Sequence, residues 1–404
     1  MIKLNVWLTL SNGETIKTGE LVVSDPDLQG RLGGQFRYHP NYLRNSIAFP
    51  LDPIHLPLSS RIFDVSRPGS GVHGVFEDSL PDAWGRTLMI RKYRLGRDKQ
   101  RVPHLLQLLG GGGLGALAYS AEEVLERSIG GLDESNLAEL QRQAVQFEED
   151  PTTLDDEMAL LFQAGSSPGG ARPKVLIRDA DTSYIAKFGS IRDKFNVVAL
   201  EAATMKLAAL AGVDTAATRL VYCGKKDVLL VTRFDLNSLG GCNHIVSMQT
   251  LLKADGYYNV AYRDMAQVVR QISGNPGEDL LKLFRQLVFN VMIGNTDDHL
   301  KNFCMLHDGK AYRLSPAFDL LPNIGLNREH VLFINFSCLP PGRGALLEEA
   351  KCFGIKRVQK AEKILDSMLE VMKDWQRIFR ELNVPDENIQ RLSGDICSRI
   401  NRLK

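Results

Sequence analysis

The polar stretch Asn295-Thr296-Asp297-Asp298-His299-Leu300-Lys301-Asn302 directly follows the apolar segment 287–293. The apolar segment predicts the end of a buried helix. Gly294 is the residue expected to terminate that helix, because glycine adopts the left-handed conformation of helix C-termini without strain. Polar side chains placed there are held by a rigid element, as a site that must position reacting groups requires. This stretch is therefore the first candidate for a functional site.

Asp297 and Asn302 stand in the order Asp-x-x-x-x-Asn. This is the spacing of the protein-kinase catalytic loop, in which the Asp takes the proton of the acceptor hydroxyl and the Asn binds magnesium. Lys301 lies between them, where it would offset charge on the transferred phosphoryl group. The spacing predicts phosphoryl transfer that depends on ATP and Mg²⁺, with Asp297, Asn302 and Lys301 as catalytic residues.

Three further residues have the types and the order that this chemistry needs. Lys187 ends an apolar strand, like the lysine that neutralises phosphate charge in kinases. Glu201 lies on the next predicted helix, where we expect it to pair with Lys187. Asp319 follows the strand-like segment 310–314, at the place where a kinase keeps its main magnesium carboxylate.

A glycine-containing loop precedes the first strand of this region. Glycines let backbone amides approach phosphate oxygens, and basic side chains add positive charge. The loop residues that we assign to the ATP phosphates are Gly169, Gly170, Ala171, Arg172 and Lys174.

Each feature also has an interpretation without phosphoryl transfer. The Asp-x-x-x-x-Asn spacing arises often by chance, and Asp297-Asp298-His299 also resembles a metal cluster, although no second ligand set at zinc spacing accompanies it. Lys187 alone is more often a solvated strand end, and Glu201 alone is as readily an exposed helix residue. Gly169-Gly170 is compatible with a simple turn. The order of all these features along the chain favours the kinase interpretation.

A second glycine run, Gly110 to Gly115, satisfies the dinucleotide-binding pattern G-x-G-x-x-G. It lacks a preceding strand and a following helix, so we interpret it as a structural turn. The chain has no G-x-x-x-x-G-K-[ST] motif, which argues against a P-loop enzyme, and no G-x-S-x-G motif, which argues against a typical α/β-hydrolase.

The composition excludes several other classes of protein. The chain has 404 residues, 44% of them hydrophobic, and a net charge of +1, which gives no global attraction to nucleic acid or to anionic membranes. The six cysteines form no C-x-x-C pair, a pattern typical of reduced thiols. No signal peptide and no run of about 18 apolar residues is present. We therefore expect a cytoplasmic protein without membrane contact.

The order of strand and helix patterns predicts an α+β fold. We divide it into a mixed N-terminal subdomain over 1–125, a connector over 126–160, a strand-rich lobe over 161–236 and a helical lobe over 237–404.

Local signals place several elements within these regions. Alternating apolar residues over 2–23, with a turn at Ser11-Asn12-Gly13, predict a two-stranded hairpin. A helix is predicted to begin near Pro81, with Ser79 or Asp78 as its cap. Another is predicted from about Asn196 to Ala211 and ended by Gly212.

With these motifs combined, the chain resembles the HipA family, the serine/threonine kinase toxins of type II bacterial toxin–antitoxin systems. The resemblance covers nearly the whole chain. The segments that carry it are 167–174, 185–187 with Glu201, 231–235, 294–302, 318–319 and, nearer the N-terminus, 78–82 and 115–117. It implies a two-lobed fold distantly related to lipid and protein kinases, with a strand-rich N-lobe and a helical C-lobe.

The resemblance also implies roles for individual residues. Asp297 would be the catalytic residue, Asn302 and Asp319 would bind Mg²⁺, and Lys187 would contact the ATP phosphates. Further residues assigned by this resemblance are Thr232, Arg233 and Phe234 in the adenine hinge, His299 in ATP binding, and Ser167 or its neighbour Ser166 as the autophosphorylated serine.

The family also suggests partners. Its members phosphorylate an aminoacyl-tRNA synthetase, often the glutamyl enzyme, and so arrest growth. They are neutralised by a helix-turn-helix antitoxin, and the pair represses its own operon, so DNA contact would be indirect. The chain departs from the family's pattern at two places. Asp298 stands where some members carry a small residue, and Arg172-Pro173 stands where some carry Gln-Glu. The sequence assigns no role to Asp298.

Two other functions remain compatible with the sequence. A kinase-like scaffold could act mainly as a co-repressor through a DNA-binding antitoxin. A kinase of small molecules or sugars is the third candidate, since related folds phosphorylate such substrates.

Overall fold

The computed structural model describes residues 1–65, 67–125, 131–150, 155–164, 172–224, 226–237, 240–256, 259–325 and 327–404. These residues form two compact units, each assembled from three separate segments of the chain. The first unit comprises 1–191, 232–246 and 306–310, and the second comprises 192–231, 247–305 and 311–404. The two units are therefore interleaved along the chain.

Strands and helices are both abundant. The strands are β1 Ile2–Thr9, β2 Thr15–Val23, β3 Gly34–Tyr38, β4 Phe63–Asp64, β5 Leu117–Ser120, β6 Leu132–Asp133, β7 Lys174–Asp179, β8 Thr182–Lys187, β9 Thr218–Cys223, β10 Lys226–Thr232, β11 His244–Ser247, β12 Cys304–His307 and β13 Tyr312–Leu314. The helices are α1 Pro40–Arg44, α2 Gly74–Glu77, α3 Ala83–Lys92, α4 Val102–Leu109, α5 Leu137–Glu149, α6 Ala159–Gln163, α7 Val197–Leu210, α8 Met248–Leu251, α9 Tyr262–Ile272, α10 Pro276–Ile293, α11 Arg343–Glu349, α12 Val358–Met372, α13 Trp375–Glu381 and α14 Asp386–Leu403. The predicted α+β class is confirmed.

The first unit contains an antiparallel sheet with the strand order β4-β3-β2-β1-β5. The predicted N-terminal hairpin is confirmed, since β1 pairs with β2 in a register that sets Leu4 opposite Leu21. Leu4, Val6 and Leu8 are buried, which matches their alternation in the sequence. Burial of one set of side chains fixes this register, because a slip by one residue would expose them all.

The strands β6, β7 and β8 also belong to the first unit. β6 runs parallel to β7, and β7 pairs antiparallel with β8. Residues 131–150, which lie in the predicted connector, form β6, a short 3-10 turn and the amphipathic helix α5. Phe147 of α5 packs edge-on against Trp84 of α3. This stretch therefore supplies both a strand and core side chains to its unit.

The predicted helix near Pro81 is confirmed as α3, but the predicted cap residues are wrong. The helix begins at Ala83, with Asp82 in extended backbone as its N-cap residue and no side-chain cap. Ser79 instead shares a hydrogen bond of 2.9 Å with the buried hydroxyl of Tyr119, and Asp78 ends the short helix α2. A tertiary hydrogen bond has outcompeted the local cap.

The second unit is mainly helical and also contains the hairpin β9–β10. The predicted helix after Asn196 is confirmed as α7, whose first turn is capped by the Asn196 side chain accepting from the Ala199 amide. Gly212 follows with a φ of +77°. The central helix is α10, which packs against α9 and α14. Within the described residues, every helix is too short or too polar to cross a bilayer.

Candidate active site

Helix α10 carries the candidate catalytic loop at its C-terminal end. Residues 287–293 are all buried, as their apolar sequence predicts. Gly294 ends the helix with φ +75° and ψ +33°, and its amide donates to the Asn290 carbonyl. A Cβ at this position would lie 3.0 Å from Asp395 Oδ2 and 3.1 Å from Arg399 Nε. The left-handed backbone and the tight surroundings therefore both favour glycine where the loop begins.

The loop brings Asp297 and Asn302 together. Residues Leu300–Asn302 form one 3-10 turn, and the Asn302 side-chain amide donates to the Asp297 carbonyl at 3.2 Å. The Asp297 side chain is exposed, whereas Asn302 is 8% exposed. Lys301 is also exposed and His299 is half-buried. The loop thus presents a carboxylate and an ammonium group to solvent beside a fixed amide.

Asp319 lies in the same unit, in a strained backbone conformation. Its φ is +57°, a region that residues other than glycine occupy at a cost of about 1–3 kcal/mol. Ala317, two residues earlier, is fixed from both sides, because its amide donates to Asp214 O at 2.7 Å and its carbonyl accepts from Ala216 N at 2.9 Å. The side chain of Asp319 is half-buried. Strain of this kind concentrates at functional sites, which supports the candidate metal role.

Asp298, which the sequence left without a role, is a buried structural carboxylate. It is 1% exposed. Its Oδ2 accepts from the Tyr262 hydroxyl at 2.8 Å and from His330 Nδ1 at 3.0 Å. Its Oδ1 accepts from the amides of Val331 and Leu332 at 2.9 and 3.4 Å. Asp298 therefore ties the loop to segment 330–332, and it is not part of a metal cluster with Asp297 and His299.

Three residues of this network were not predicted from the sequence. Burial and the neighbouring Asp298 carboxylate raise the pKa of Tyr262 well above its ordinary value, so its hydroxyl stays protonated and donates. His330 Nε2 lies 3.3 Å from a guanidinium nitrogen of Arg399, which is 2% exposed. No local motif marks these residues. The only signal is the i, i+4 pairing of Asp395 with Arg399 on the amphipathic helix α14.

The residues assigned to ATP phosphates, as far as the structure describes them, lie in the first unit. Lys174 and Lys187 are direct partners across the β7–β8 hairpin. Residues opposite each other in an antiparallel pair share a face, and two like charges there repel each other. Lys174 is 8% exposed, Lys187 is half-buried and Arg172 is exposed. Gly169, Gly170, Ala171, Ser166 and Ser167 lie outside the described residues.

The candidate adenine hinge is held by a buried ion pair. The Arg233 amide donates to Ser183 O at 2.9 Å, and its side chain donates to Asp235 at 2.6 Å. Burial opposes ionisation of both side chains. The opposite charge and the hydrogen bonds of the partner outweigh burial, so the pKa of Asp235 is lowered and that of Arg233 is raised. Asp235 also accepts from the Gly115 amide at 2.8 Å. Thr232 and Phe234 on either side of Arg233 are half-buried.

The glycine run Gly110 to Gly115 is a structural turn, as predicted. Gly110 ends α4 with φ +55°, and the strand β5 follows the run. A dinucleotide loop needs the opposite order, a strand before the glycines and a helix after them. Gly115, with φ +73°, fixes the turn by its bond to Asp235.

Glu201 lies on α7 in the second unit and is 6% exposed. The alternative interpretation as an exposed helix residue is therefore wrong. A carboxylate is seldom buried unless it is paired. Its pairing with Lys187 stays a prediction.

The donor set of the loop fits magnesium better than zinc. The described residues contain no cluster of three or more His, Cys, Asp and Glu side chains that could hold a metal ion. Because the Asn302 nitrogen donates to Asp297 O, the amide is oriented and its oxygen remains to act as a ligand. An amide oxygen and a carboxylate, completed by water and phosphate oxygens, are the ligands that Mg²⁺ takes.

Two family models match the chain, the HipA N-terminal domain over residues 17–120 and the HipA-like C-terminal domain over residues 166–376. The second covers just over half of the chain. The chain therefore belongs to the HipA family.

Known relatives agree with this assignment. Y4mE of Sinorhizobium fredii is 30% identical over 134 residues, 31% of this chain and 32% of that protein. The serine/threonine-protein kinase toxin HipA of Shewanella oneidensis is 25% identical over 306 residues, 68% of this chain and 66% of that protein. The chain thus spans about a third of the first relative and about two thirds of the second.

A solved structure of a toxin–antitoxin complex of HipA, HipB and operator DNA from Shewanella oneidensis matches 99% of this chain and 96% of the matched chain. The TM-score is 0.69 at 17% sequence identity. The predicted kinase-like fold is therefore confirmed as the HipA fold.

Proposed function

We propose that this protein is an ATP- and Mg²⁺-dependent serine/threonine protein kinase. The observation that carries the proposal is the loop at the end of α10, where Asp297 and Lys301 are exposed and the Asn302 side-chain amide is oriented by the Asp297 carbonyl. The strained Asp319 in the same unit would supply a second oxygen ligand. Family membership supports the same assignment.

The reaction follows from these groups. The hydroxyl oxygen of a serine or threonine attacks the γ-phosphorus of ATP, and the bond from that phosphorus to the β,γ-bridging oxygen breaks, releasing ADP. Asp297 accepts the hydroxyl proton, and Lys301 offsets negative charge on the transferred phosphoryl group. Asn302 and Asp319 would hold the magnesium ion, which neutralises charge on the phosphates when it is bound.

The ATP phosphates have a basic receptor in the first unit. Lys174 and Lys187 lie directly opposite each other across β7–β8, where they place two positive charges on one face of the hairpin. We assign the amides of Gly169, Gly170 and Ala171, with Arg172, to the same phosphates. We also assign Glu201 to orienting Lys187, His299 to the triphosphate, and Thr232, Arg233 and Phe234 to adenine.

The biological role that we propose is that of a cytoplasmic toxin. The related Shewanella protein is named a serine/threonine-protein kinase toxin. A translation component such as glutamyl-tRNA synthetase is the proposed substrate, and Ser167 or Ser166 is the proposed autophosphorylation site. A helix-turn-helix antitoxin is the proposed partner, as the complex of the matched structure with HipB suggests.

The test is brief induction of wild-type protein and of Asp297→Asn, followed by growth measurement and phosphoproteomics. We expect arrest and new phosphoserine or phosphothreonine sites only with the wild type. Equal arrest by both proteins would exclude the kinase mechanism. A labelled metabolite without a labelled protein, after incubation of the wild type with γ-labelled ATP and lysate, would favour a small-molecule kinase instead.

A second candidate is a co-repressor that acts through a DNA-binding partner. The operator DNA in the complex of the matched structure favours it. The near-neutral charge of this chain indicates that most phosphate contacts would come from the partner. Two outcomes together would support this function over the first. Asp297→Asn would leave operator binding by the protein and its antitoxin unchanged, and the wild type would turn over no ATP.

A further inference from the structure

A buried chain of polar side chains connects helix α14 to the candidate catalytic loop. Arg399 has only donors, so the His330 Nε2 that faces it at 3.3 Å must offer its lone pair. The proton of His330 then resides on Nδ1, which donates to Asp298 Oδ2 at 3.0 Å. The direction of donation is therefore fixed from Arg399 through His330 to Asp298.

Arg399 also reaches the other end of the loop. It donates to the carbonyl of Val291 at 3.5 Å, in the last turn of α10. Its Nε would lie only 3.1 Å from a Cβ added at Gly294, so the space for a side chain there is tight. Asp395 fixes the guanidinium by accepting from Nε at 2.6 Å. One side chain of α14 thus contacts the start of the loop directly and its middle through His330.

A second set of hydrogen bonds anchors the loop through Asn290 and Tyr262. The Asn295 amide group donates to the Asn290 side-chain oxygen at 3.2 Å, and Asn290 donates to the Tyr262 hydroxyl at 3.0 Å. That hydroxyl donates to Asp298 at 2.8 Å. Both residues that bracket positions 296 and 297 are therefore held by buried groups.

Asp297 itself depends on these neighbours. Its side chain is exposed, and among the described residues only its carbonyl is bonded, to Asn302. Its direction is therefore determined by the backbone on either side, which Asn295 and Asp298 anchor. A displacement of about 1 Å in a reacting group costs about 100-fold in rate.

We infer that Asp298, His330 and Arg399 are positioning residues, through which helix α14 holds the catalytic-loop backbone so that Asp297 is presented to the acceptor hydroxyl. This inference rests on the proposed kinase function for its kinetic consequences. Its structural content, the direction of donation and the rigidity of the loop, can be measured separately.

The test uses the full-length protein with His330→Ala, His330→Asn and Arg399→Leu. Asparagine places a donor where Nδ1 lies, so it restores the bond to Asp298 that alanine removes. Asp279→Asn is the matched control, because Asp279 is a fully buried carboxylate holding Arg313 and Ser273 at the other end of α10. Readouts are the single-turnover rate of γ-phosphate incorporation, amide hydrogen exchange of residues 294–302, and the tautomer of His330 from ¹⁵N NMR.

We expect His330→Ala and Arg399→Leu to lower the rate about 10- to 100-fold at saturating ATP, with the half-saturating ATP concentration unchanged, and to speed exchange in the loop. His330→Asn should recover most of both losses. Asp279→Asn should lose stability and keep the rate within about twofold. Wild-type His330 should show the Nδ1–H tautomer.

Wild-type rate and wild-type loop exchange in His330→Ala would overturn the inference, as would an Nε2–H tautomer. An inactive wild type, or Asp297→Asn as active as wild type, would instead refute the proposed function. In that case the exchange and tautomer measurements still decide whether α14 positions the loop.

Discussion

Asp297 and Asp298 are adjacent in the chain, but the Asp297 side chain is exposed while that of Asp298 is 1% exposed and accepts four hydrogen bonds. The two carboxylates therefore have separate tasks. One can reach a substrate, and the other holds the backbone that carries the first.

Substitution of these two residues should separate stability from activity. Asp298→Asn places an NH₂ group against the donors of Tyr262 and His330, so the free energy of unfolding should fall by about 1–3 kcal/mol. Asp297→Asn should leave it within about 0.5 kcal/mol of wild type, because the side chain is exposed. Urea unfolding followed by circular dichroism measures both. Equal stability of the two variants would contradict the structural role of Asp298.

Two glycines should respond in opposite directions to alanine. Gly294→Ala forces a Cβ into φ +75° and against Asp395 and Arg399, so we expect a loss of about 1–2 kcal/mol or more in unfolding free energy. Gly394→Ala, inside α14 with open space around it, should gain about 0.5–1 kcal/mol. Thermal unfolding of the pair tests both signs, and a gain in Gly294→Ala would disprove the close approach.

Removal of the Lys187 charge should weaken ATP binding without unfolding the protein. Lys187→Ala eliminates one of two lysines that face each other across β7–β8, so the half-saturating ATP concentration should rise about 10-fold or more. The control is Lys226→Ala, at an exposed position that begins β10, and it should bind ATP as wild type does. Isothermal titration with ATP and Mg²⁺ gives both values; unchanged affinity in Lys187→Ala would remove it from the site.

Acid should destabilise the protein through a buried histidine. Burial, and to a lesser degree the nearby His244, together lower the pKa of His307 from 6.5 to about 4; the ring stacks on Phe49 with centroids 3.6 Å apart. Between these two pH values the unfolded chain binds the proton more readily, so stability present above pH 6.5 is lost as the pH falls towards 4.

The matching variant is His307→Phe, which keeps an aromatic ring and removes the titrating group. Its unfolding free energy should depend less steeply on pH between 6.5 and 4, by at most about 1.4 kcal/mol per pH unit. Chemical unfolding at four pH values in this range measures the slope. The same slope in wild type and variant would show that His307 titrates normally.

The parts of the site that lie close together in sequence were predictable. The apolar run before Gly294 and the Asp297–Asn302 spacing are local signals, and the structure builds them as a helix, a left-handed cap and one tight turn. The role of Asp298 was not predictable, because its partners Tyr262 and His330 come from distant parts of the chain. Nothing in the residues around Asp298 distinguishes a buried carboxylate from an exposed one.

The fold shows the same limit. The hairpin of β1 and β2 and the helix α7 follow from alternation and capping within each segment. The cap of α3 failed because the Ser79 hydroxyl is taken by Tyr119, a choice made by tertiary packing. The pairing of β6 with β7 was not predictable from the sequence either, because β6 has only two residues and carries no periodic signal.

The interleaving of the two units has a consequence for how the protein can be dissected. Each unit takes residues from three segments, so no single cut in the chain separates the two units. A fragment that stops at residue 305 lacks the piece 306–310 that the first unit recruits, and a fragment that starts at residue 247 lacks 192–231 of the second. Every two-piece split therefore divides at least one unit between the fragments, and completion of each unit during synthesis must await its last segment.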